Sequence, residues 1–189
     1  MSTIISTEKM SVAEFLDYEF TEQELQEAWY ELINGQMRKR NYPTILHQET
    51  SAHVFAKFYN YVTEKKLGKV FHPPMGVILG EHHVVLPDLV FVSNAQAGLI
   101  QETGIYGAPD LVVEIISPST LKDDRNDKKD LHAMFQIKEY WIIDPQYASI
   151  ELFECTEKSY ELVGFAVESG KISSKVLEGF ELDIQAIFA

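Results

Sequence analysis

Length, composition and charge set the first limits on this chain. Its 189 residues, 46% of them hydrophobic, are enough to bury one sizeable core, so we expect a single domain over residues 1–189. Charge interrupts every long apolar run, and the N-terminal residues lack the features of a signal peptide, so we expect a cytoplasmic protein with no membrane partner. A single cysteine, Cys155, excludes an internal disulfide.

The net charge of −13 argues against a nucleic-acid partner, because affinity for phosphates comes from Lys and Arg. The charge is, however, segregated along the chain. Acidic residues dominate residues 8–31, whereas most basic residues fall within residues 38–69 and 122–129. A solvated acidic face explains the first block as well as a function does, and the basic segments keep a nucleic-acid partner open.

The predicted elements mix helices and strands. Residues 8–28 predict a helical extension, and the dipeptide Asn34-Gly35 predicts a type I′ turn in a hairpin. Apolar spacing then predicts a core-facing helix over residues 48–64, short strands, and a second helix over residues 123–136 that leads into another strand. Residues 146–189 predict a meander of strands. This order is typical of one mixed β-sheet flanked by helices, an α/β (α+β) architecture.

One predicted strand carries an acid where an aliphatic side chain would otherwise pack. Because side chains alternate along a strand, Glu114 shares a face with Val112 and Ile116. Asp88 has the same unusual setting in a neighbouring apolar strand. A buried carboxylate costs roughly several kcal/mol unless a cation compensates it. The two acids therefore indicate a site for a hard divalent ion with oxygen ligands.

The second helix supplies a cation. At 100° per residue, Lys128 and Asp124 lie towards the apolar face that includes Leu131, whereas Lys129 points almost the opposite way, into solvent. An inward lysine beside two acids can hold a phosphate, orient a hydroxide nucleophile or carry a proton. The alternative reading of each acid is a cap or another structural group, which is the reading we favour for Asp110.

Five segments in a fixed order resemble a known family. They are YELINGQM, PDLVFVS, APDLVVEIISPST, DDRNDKKDLH and EYWIIDP, and they span residues 30–145. The series resembles the Uma2 family, a domain of unknown function placed in the PD-(D/E)XK nuclease superfamily. The resemblance implies a restriction-endonuclease-like core over residues 30–145, a central mixed sheet flanked by helices, to which residues 8–28 and 146–189 are additions.

The resemblance also implies an activity, namely Mg²⁺-dependent hydrolysis of DNA phosphodiester bonds, with Mn²⁺ as a substitute metal. By this resemblance Asp88 and Glu114 are the paired metal ligands and the backbone carbonyl of Ile115 is a further ligand. Glu31 is a supporting acid with a place in the catalytic set.

One position departs from the superfamily pattern. The superfamily lysine stands two residues after the glutamate, where this chain has Ile116. The family resemblance moves that role to Lys128, in agreement with the helical-face argument. His47 and Asp124 are candidates for supporting roles. His132 stands where relatives often carry tyrosine.

Two alternatives to a DNA nuclease stay open on the sequence. A nuclease-like fold that has lost turnover would serve as an interaction or regulatory module, which the acidity and the displaced lysine favour. A metal-dependent hydrolase of smaller phosphate substrates would tolerate the acidic surface better. For a nuclease, DNA is the expected substrate and a homodimer is expected by analogy with enzymes that cut both strands.

Overall fold

A computed structural model describes residues 3–5, 8–117, 123–157 and 159–189 of the chain. The described part contains fourteen strands. In chain order they are β1 (Thr3–Ile4), β2 (Ala28–Ile33), β3 (Gln36–Asn41), β4 (Gly68–Phe71), β5 (Val77–Ile78), β6 (Val84–Val85), β7 (Leu89–Ser93), β8 (Ile105–Tyr106), β9 (Leu111–Ile115), β10 (Glu139–Asp144), β11 (Ser149–Thr156), β12 (Ser159–Val167), β13 (Lys171–Ser173) and β14 (Glu181–Asp183).

The two predicted core-facing helices and the predicted N-terminal helical segments are present, and α5 and a 3₁₀ helix were not predicted. The described helices are α1 (Val12–Leu16), α2 (Glu22–Glu27), α3 (Ile45–Lys65), α4 (Lys129–Met134) and α5 (Gln185–Phe188), with a 3₁₀ helix at Asn94–Leu99 and a π-helical segment at Asp123–Lys128. The side chain of Thr44 accepts a hydrogen bond from the third backbone N–H of α3 and so fixes its start. The π-helical segment runs directly into α4, so the two together form the predicted second helix.

The strands divide between two six-stranded sheets and a two-stranded ribbon within the described part of the chain. The first sheet has the order β1-β3-β2-β6-β5-β8 and the second β12-β11-β10-β9-β7-β4. In the second sheet, β9 and β10 are parallel and the other neighbours are antiparallel. The mixed sheets flanked by helices confirm the predicted fold class, although the sequence predicted one sheet.

One crossing of the chain between the two sheets falls at a short segment. β6 belongs to the first sheet, and the next strand along the chain, β7, belongs to the second. Between them lie Leu86, Pro87 and Asp88. Pro87 has no backbone N–H to donate to a ladder, so a continuous strand across this point is disfavoured. The predicted single strand over residues 83–93 is therefore two strands in different sheets.

The first hairpin confirms the predicted turn. Asn34 and Gly35 have φ angles of 55° and 76°, as a type I′ turn requires, and Ile33 pairs with Gln36 across it. The register that follows pairs Glu31 of β2 with Arg38 of β3. The turn thus sets which side chains of β3 share a face with Glu31.

The second sheet has a different core on each face. On one face, Val54, Phe58 and Val62 of α3 pack against alternate residues of β9 and β10, which are Leu111, Val113, Ile115, Trp141 and Ile143. The core on the other face joins the first sheet and α4 to the second sheet, and it includes Val85, Val90, Val112, Ile116, Leu131 and Ile142. Glu114 alternates with Val112 and Ile116, so it points into the space between the two sheets.

Fewer residues of the C-terminal meander form strands than the sequence predicts. The last predicted strand covered residues 181–188; only residues 181–183 form a strand, β14, and residues 185–188 form the short helix α5. The Asp183 carboxylate accepts a hydrogen bond from the Gln185 backbone N–H, which favours a helical turn over an extended chain. Among the described helices, none combines the length and the apolar character needed to cross a bilayer.

Candidate functional site

The predicted site residues gather around the carboxyl end of the parallel strands β9 and β10. Glu114 and Ile115 are the last two residues of β9, and Asp88 immediately precedes β7 beside them. Hairpin β2–β3, the start of α3 and the π-helical segment surround this end of the sheet. In sheets with parallel strands, ligands bind at the carboxyl ends, so this is the expected edge for a site.

A buried ion cluster joins Glu114 to the hairpin and to the second helix. The ammonium Nζ of Lys128 lies 2.8 Å from Glu114 Oε1 and 2.9 Å from Glu31 Oε1. All three residues are at most 2% exposed. Lys128 therefore points inward, as the helical-face argument predicts. At so little exposure these pairs are screened much less than surface pairs, so charge complementarity here matters.

Arg40 is a fourth member of this cluster and is not among the predicted site residues. Its Nη1 lies 3.2 Å from Glu31 Oε1, and its Nη2 lies 3.6 Å from Glu114 Oε2. Trp29 is its partner across the hairpin, and side chains alternate along strands, so Arg40 shares a face with Glu31. The hairpin register set by Asn34-Gly35 was the sequence signal that could have identified it.

Asp88 forms a second group beside the first. Its Oδ2 accepts a hydrogen bond of 2.8 Å from the backbone N–H of Ile115 and lies 3.2 Å from His47 Nε2. His47 belongs to the first turn of α3, so that helix places it against the strand end. Because the N–H and C=O of an extended residue point to the same edge of a strand, the Ile115 carbonyl also lies on the Asp88 side.

The cations keep the two best-defined acids ionised. Burial by itself raises the pKa of Glu31, but the charges of Lys128 and Arg40 outweigh it and hold that pKa below its usual value. Burial likewise raises the pKa of Asp88, and the opposing effects of His47, Arg40 and the Ile115 N–H bring it below its usual value. Carboxylates in this state are ready to act as ligands for a cation.

These contacts change the argument for a metal. Two buried acids on neighbouring strands were expected to need a divalent ion to relieve their repulsion. In the structure, Lys128 and Arg40 already compensate Glu114, and His47 and the Ile115 N–H already stabilise Asp88. Within the described residues, no group of three or more His, Cys, Asp or Glu side chains has the arrangement of a metal site. The case for a metal therefore rests on the donor chemistry and not on unrelieved repulsion.

His132 completes the buried end of the cluster. It is one helical turn after Lys128 and has no exposed surface. Neither ring nitrogen has a hydrogen-bond partner in the described part of the chain. Burial, reinforced by the charge of Lys128, lowers its pKa to about 3. The imidazole is therefore neutral at physiological pH and adds no charge beside Lys128.

The remaining predictions for the second helix differ in outcome. The side chain of Asp124 lies outside the described part of the structure, as do the candidate helix caps Ser119 and Thr120. Lys129 was expected to be solvated. Its ammonium instead lies 3.7 Å from the centroid of the Phe153 ring, a cation–π contact that covers part of the side chain.

A cleft opens beside His47. It has a volume of about 310 Å³ and is lined by Thr44, Leu46, His47, Ile116, Ser117, Pro145 and Gln146. These residues come from the start of α3 and from the carboxyl ends of β9 and β10. The cleft thus opens at the same edge of the sheet, against His47, which contacts Asp88.

Asp110 lies at the other end of β9 and takes no part in this cluster. Its carboxylate accepts hydrogen bonds from the Ser93 backbone N–H at 2.8 Å and from Lys138 Nζ at 2.6 Å. These contacts link β7, β9 and the start of β10. Their geometry agrees with the structural reading of this acid.

Comparison with solved structures supports the fold. The crystal structure of a protein from Anabaena variabilis, described as a putative nuclease belonging to DUF820, superposes with a TM-score of 0.73 at 19% sequence identity. The superposition covers 95% of this chain and 97% of that chain. No curated protein matches the sequence.

Comparison with family profiles identifies the relatives. The profile of Uma2, described as "Putative restriction endonuclease", matches residues 12–185. The match takes in all of the second sheet, the first sheet apart from β1, and all of the buried ion cluster. The family resemblance expected from the five sequence segments is confirmed, and the chain belongs to the Uma2 family.

Proposed function

We propose that the protein is a metal-dependent endonuclease that hydrolyses DNA phosphodiester bonds, with Mg²⁺ as its metal and Mn²⁺ as a substitute. The observation that carries the proposal is the buried contact between Lys128 and Glu114, directly beside Asp88 at the carboxyl ends of parallel strands. Membership of a family described as "Putative restriction endonuclease" supports the same chemistry.

The donor set fits a hard divalent cation. Asp88 Oδ1 accepts no hydrogen bond from any residue that the structure describes, so this oxygen remains for a ligand. Carboxylate and carbonyl oxygens are the ligands that Mg²⁺ and Mn²⁺ prefer. Asp88, Glu114 and the backbone carbonyl of Ile115 would hold the metal. When bound, it supplies Lewis acidity to the scissile phosphate and lowers the pKa of a water.

The other residues have roles that follow from their contacts. Lys128 keeps a positive charge beside Glu114 and stabilises negative charge that develops on the phosphate. Glu31 accepts from Lys128 and so orients its ammonium. His47 holds Asp88 Oδ2, which leaves the other carboxylate oxygen facing a ligand. The cleft at the start of α3 admits the DNA strand.

Nicking of supercoiled DNA in the presence of Mg²⁺ or Mn²⁺ tests the proposal. We expect activity from the wild type and none from Asp88→Asn or Glu114→Gln. Asp110→Asn is the matched control, because Asp110 is a buried acid of the same segment that lies away from the cluster. The control should nick DNA at the wild-type rate. Failure of the wild type to nick, or nicking by both site variants, would sink the proposal.

One observation favours a second candidate, the interaction or regulatory module without turnover. The ion pairs of Glu31, Glu114, Lys128 and Arg40 neutralise the cluster without any metal. Calorimetric titration with Mn²⁺ separates the candidates. Binding that Asp88→Asn abolishes supports the nuclease, whereas the absence of Mn²⁺ binding by the wild type supports the module.

A further inference from the structure

Arg40 reaches three parts of the site from one position on β3. Its Nη1 donates a hydrogen bond of 2.8 Å to the backbone carbonyl of Leu86 and lies 3.2 Å from Glu31 Oε1. Its Nη2 lies 3.6 Å from Glu114 Oε2. The side chain is 8% exposed, so solvent offers little competition for these contacts.

Leu86 is held on both sides by the same pair of side chains. Its backbone N–H donates to Glu31 Oε1 at 2.8 Å, while its carbonyl accepts from Arg40. Glu31 and Arg40 also contact each other. The two side chains therefore form a clamp, which we define as Glu31 and Arg40 around the peptide groups of Leu86.

The clamp acts at a connection between the two sheets. Leu86 and Pro87 lie between the end of β6 and the start of β7, where the chain passes from one sheet to the other. Pro87 cannot donate a backbone hydrogen bond. The next residue is Asp88, so the place of its carboxylate depends on how Leu86 is held.

We infer that Arg40 is a positioning residue of this site. Arg40 fixes the position of Asp88 through Leu86, and its contact with Glu114 sets the distance between the Asp88 and Glu114 carboxylates. A guanidinium suits this role because its planar donors engage several acceptors at once, whereas an ammonium is a single point charge. The inference deepens the proposed nuclease function and rests on it for the activity measurement.

The chain offers a closely matched control. Arg38 lies two residues earlier on β3, on the same face, and both arginines are 7% exposed. Arg38 pairs with Asp127 at 2.7 Å, away from Leu86. The variants Arg40→Lys and Arg38→Lys both keep the positive charge, so a difference between them reports geometry and not net charge.

Activity and metal binding give the first readout. In Arg40→Lys we expect kcat for DNA nicking and affinity for Mn²⁺ each to fall about tenfold or more, as is typical when a residue that supports a metal ligand is changed. KM for DNA should stay within about twofold of the wild-type value, because Arg40 is not one of the residues that line the cleft. Arg38→Lys should keep wild-type values. If the wild type nicks DNA, equal kcat and equal Mn²⁺ affinity in the two variants would overturn the inference.

Hydrogen exchange gives a readout that survives failure of the proposed function. The amide of Ile115 donates to Asp88, so loss of the clamp should expose it. We expect it to exchange about tenfold faster in Arg40→Lys, relative to the amide of Trp141, and to be unchanged in Arg38→Lys. If the wild type does not nick DNA but this difference holds, the nuclease proposal fails and the positioning role stands. Unchanged exchange in Arg40→Lys would refute the positioning role.

Discussion

Two buried glutamates at opposite ends of the second sheet are stabilised in different ways. Glu139 begins β10 opposite Leu111, the first residue of β9, whereas Glu114 lies near the other end of β9. It accepts hydrogen bonds from the Trp141 ring N–H, from the Ser174 hydroxyl and from the two backbone N–H groups of residues 175–176. All of these donors are neutral. Glu139 is thus a closed structural link between β10 and the C-terminal turn.

Glu114 is held by charge. Its carboxylate lies against the ammonium of Lys128 and near the guanidinium of Arg40, and the same cations serve Glu31. A group of this kind can exchange partners when a ligand arrives, because its cations have a second acid to pair with. Burial of an acid alone therefore does not identify a functional site. The charge of the groups that contact the acid separates Glu114 from Glu139.

The largest effect in this comparison is expected from Lys128→Met. The change leaves Glu31 and Glu114 buried without the ammonium between them. We expect the free energy of unfolding at pH 7 to fall by about 3–5 kcal/mol, as when one partner of a buried ion pair is removed. Urea denaturation measures the loss. A fall below about 1 kcal/mol would mean that Arg40 alone compensates both acids.

Glu139→Gln tests the end of the second sheet at which neutral donors hold the buried glutamate. The amide nitrogen of glutamine cannot accept from the donors that now serve one carboxylate oxygen. We expect the free energy of unfolding to fall by about 2–3 kcal/mol, in the range for buried donors left without a partner. DNA nicking per folded molecule should not change. Loss of nicking in a folded Glu139→Gln protein would erase the distinction between the two ends.

The pH dependence of stability should depend on His132. Its pKa is about 3 in the folded chain and about 6.5 when unfolded, so between these values only the unfolded chain binds the proton. Stability is therefore complete above pH 6.5 and falls as the pH falls towards 3. Between pH 7 and pH 5 this residue accounts for a loss of about 2 kcal/mol.

His132→Phe removes this contribution. The loss of unfolding free energy between pH 7 and pH 5 should be about 2 kcal/mol smaller in the variant than in the wild type. Comparing each protein with itself at the two pH values cancels any general change in packing. Parallel pH profiles would show that His132 takes up its proton in the folded chain.

The smallest effect is expected from Lys138→Met, which removes a lysine at the same end of the second sheet as Glu139. Lys138 pairs with Asp110, but 61% of its side chain is exposed. Solvent screens such a pair, so we expect a loss of less than about 1 kcal/mol in urea denaturation. A loss equal to that of Lys128→Met would show that burial does not separate the two lysines.

Local periodicity was enough to predict the directions of the main side chains. Alternation along β9 placed Glu114 on the face between the sheets, and helical geometry turned Lys128 inward. Both predictions are confirmed because such directions depend only on the backbone repeat. The roles assigned to these residues and to the metal stay predictions.

Long-range pairing was harder to predict. The division into two sheets depends on the pairing of Leu32 with Val84, which no local pattern near β6 reveals. The strand face of Arg40 could have been predicted, because the Asn34-Gly35 turn fixes the register of the hairpin. Its contact with Leu86 could not, because it joins residues 46 positions apart. The sequence likewise did not predict which cations stabilise the buried carboxylates, because these contacts depend on distances between separate elements.

The central claim is that Asp88 and Glu114 hold a divalent metal ion beside Lys128. Crystals soaked with Mn²⁺ test it directly through the anomalous difference map. The account predicts a peak between the two carboxylates, within reach of Lys128, which is absent from crystals of Asp88→Asn. An empty site at saturating Mn²⁺, or carboxylates too far apart to share one ion, would contradict it.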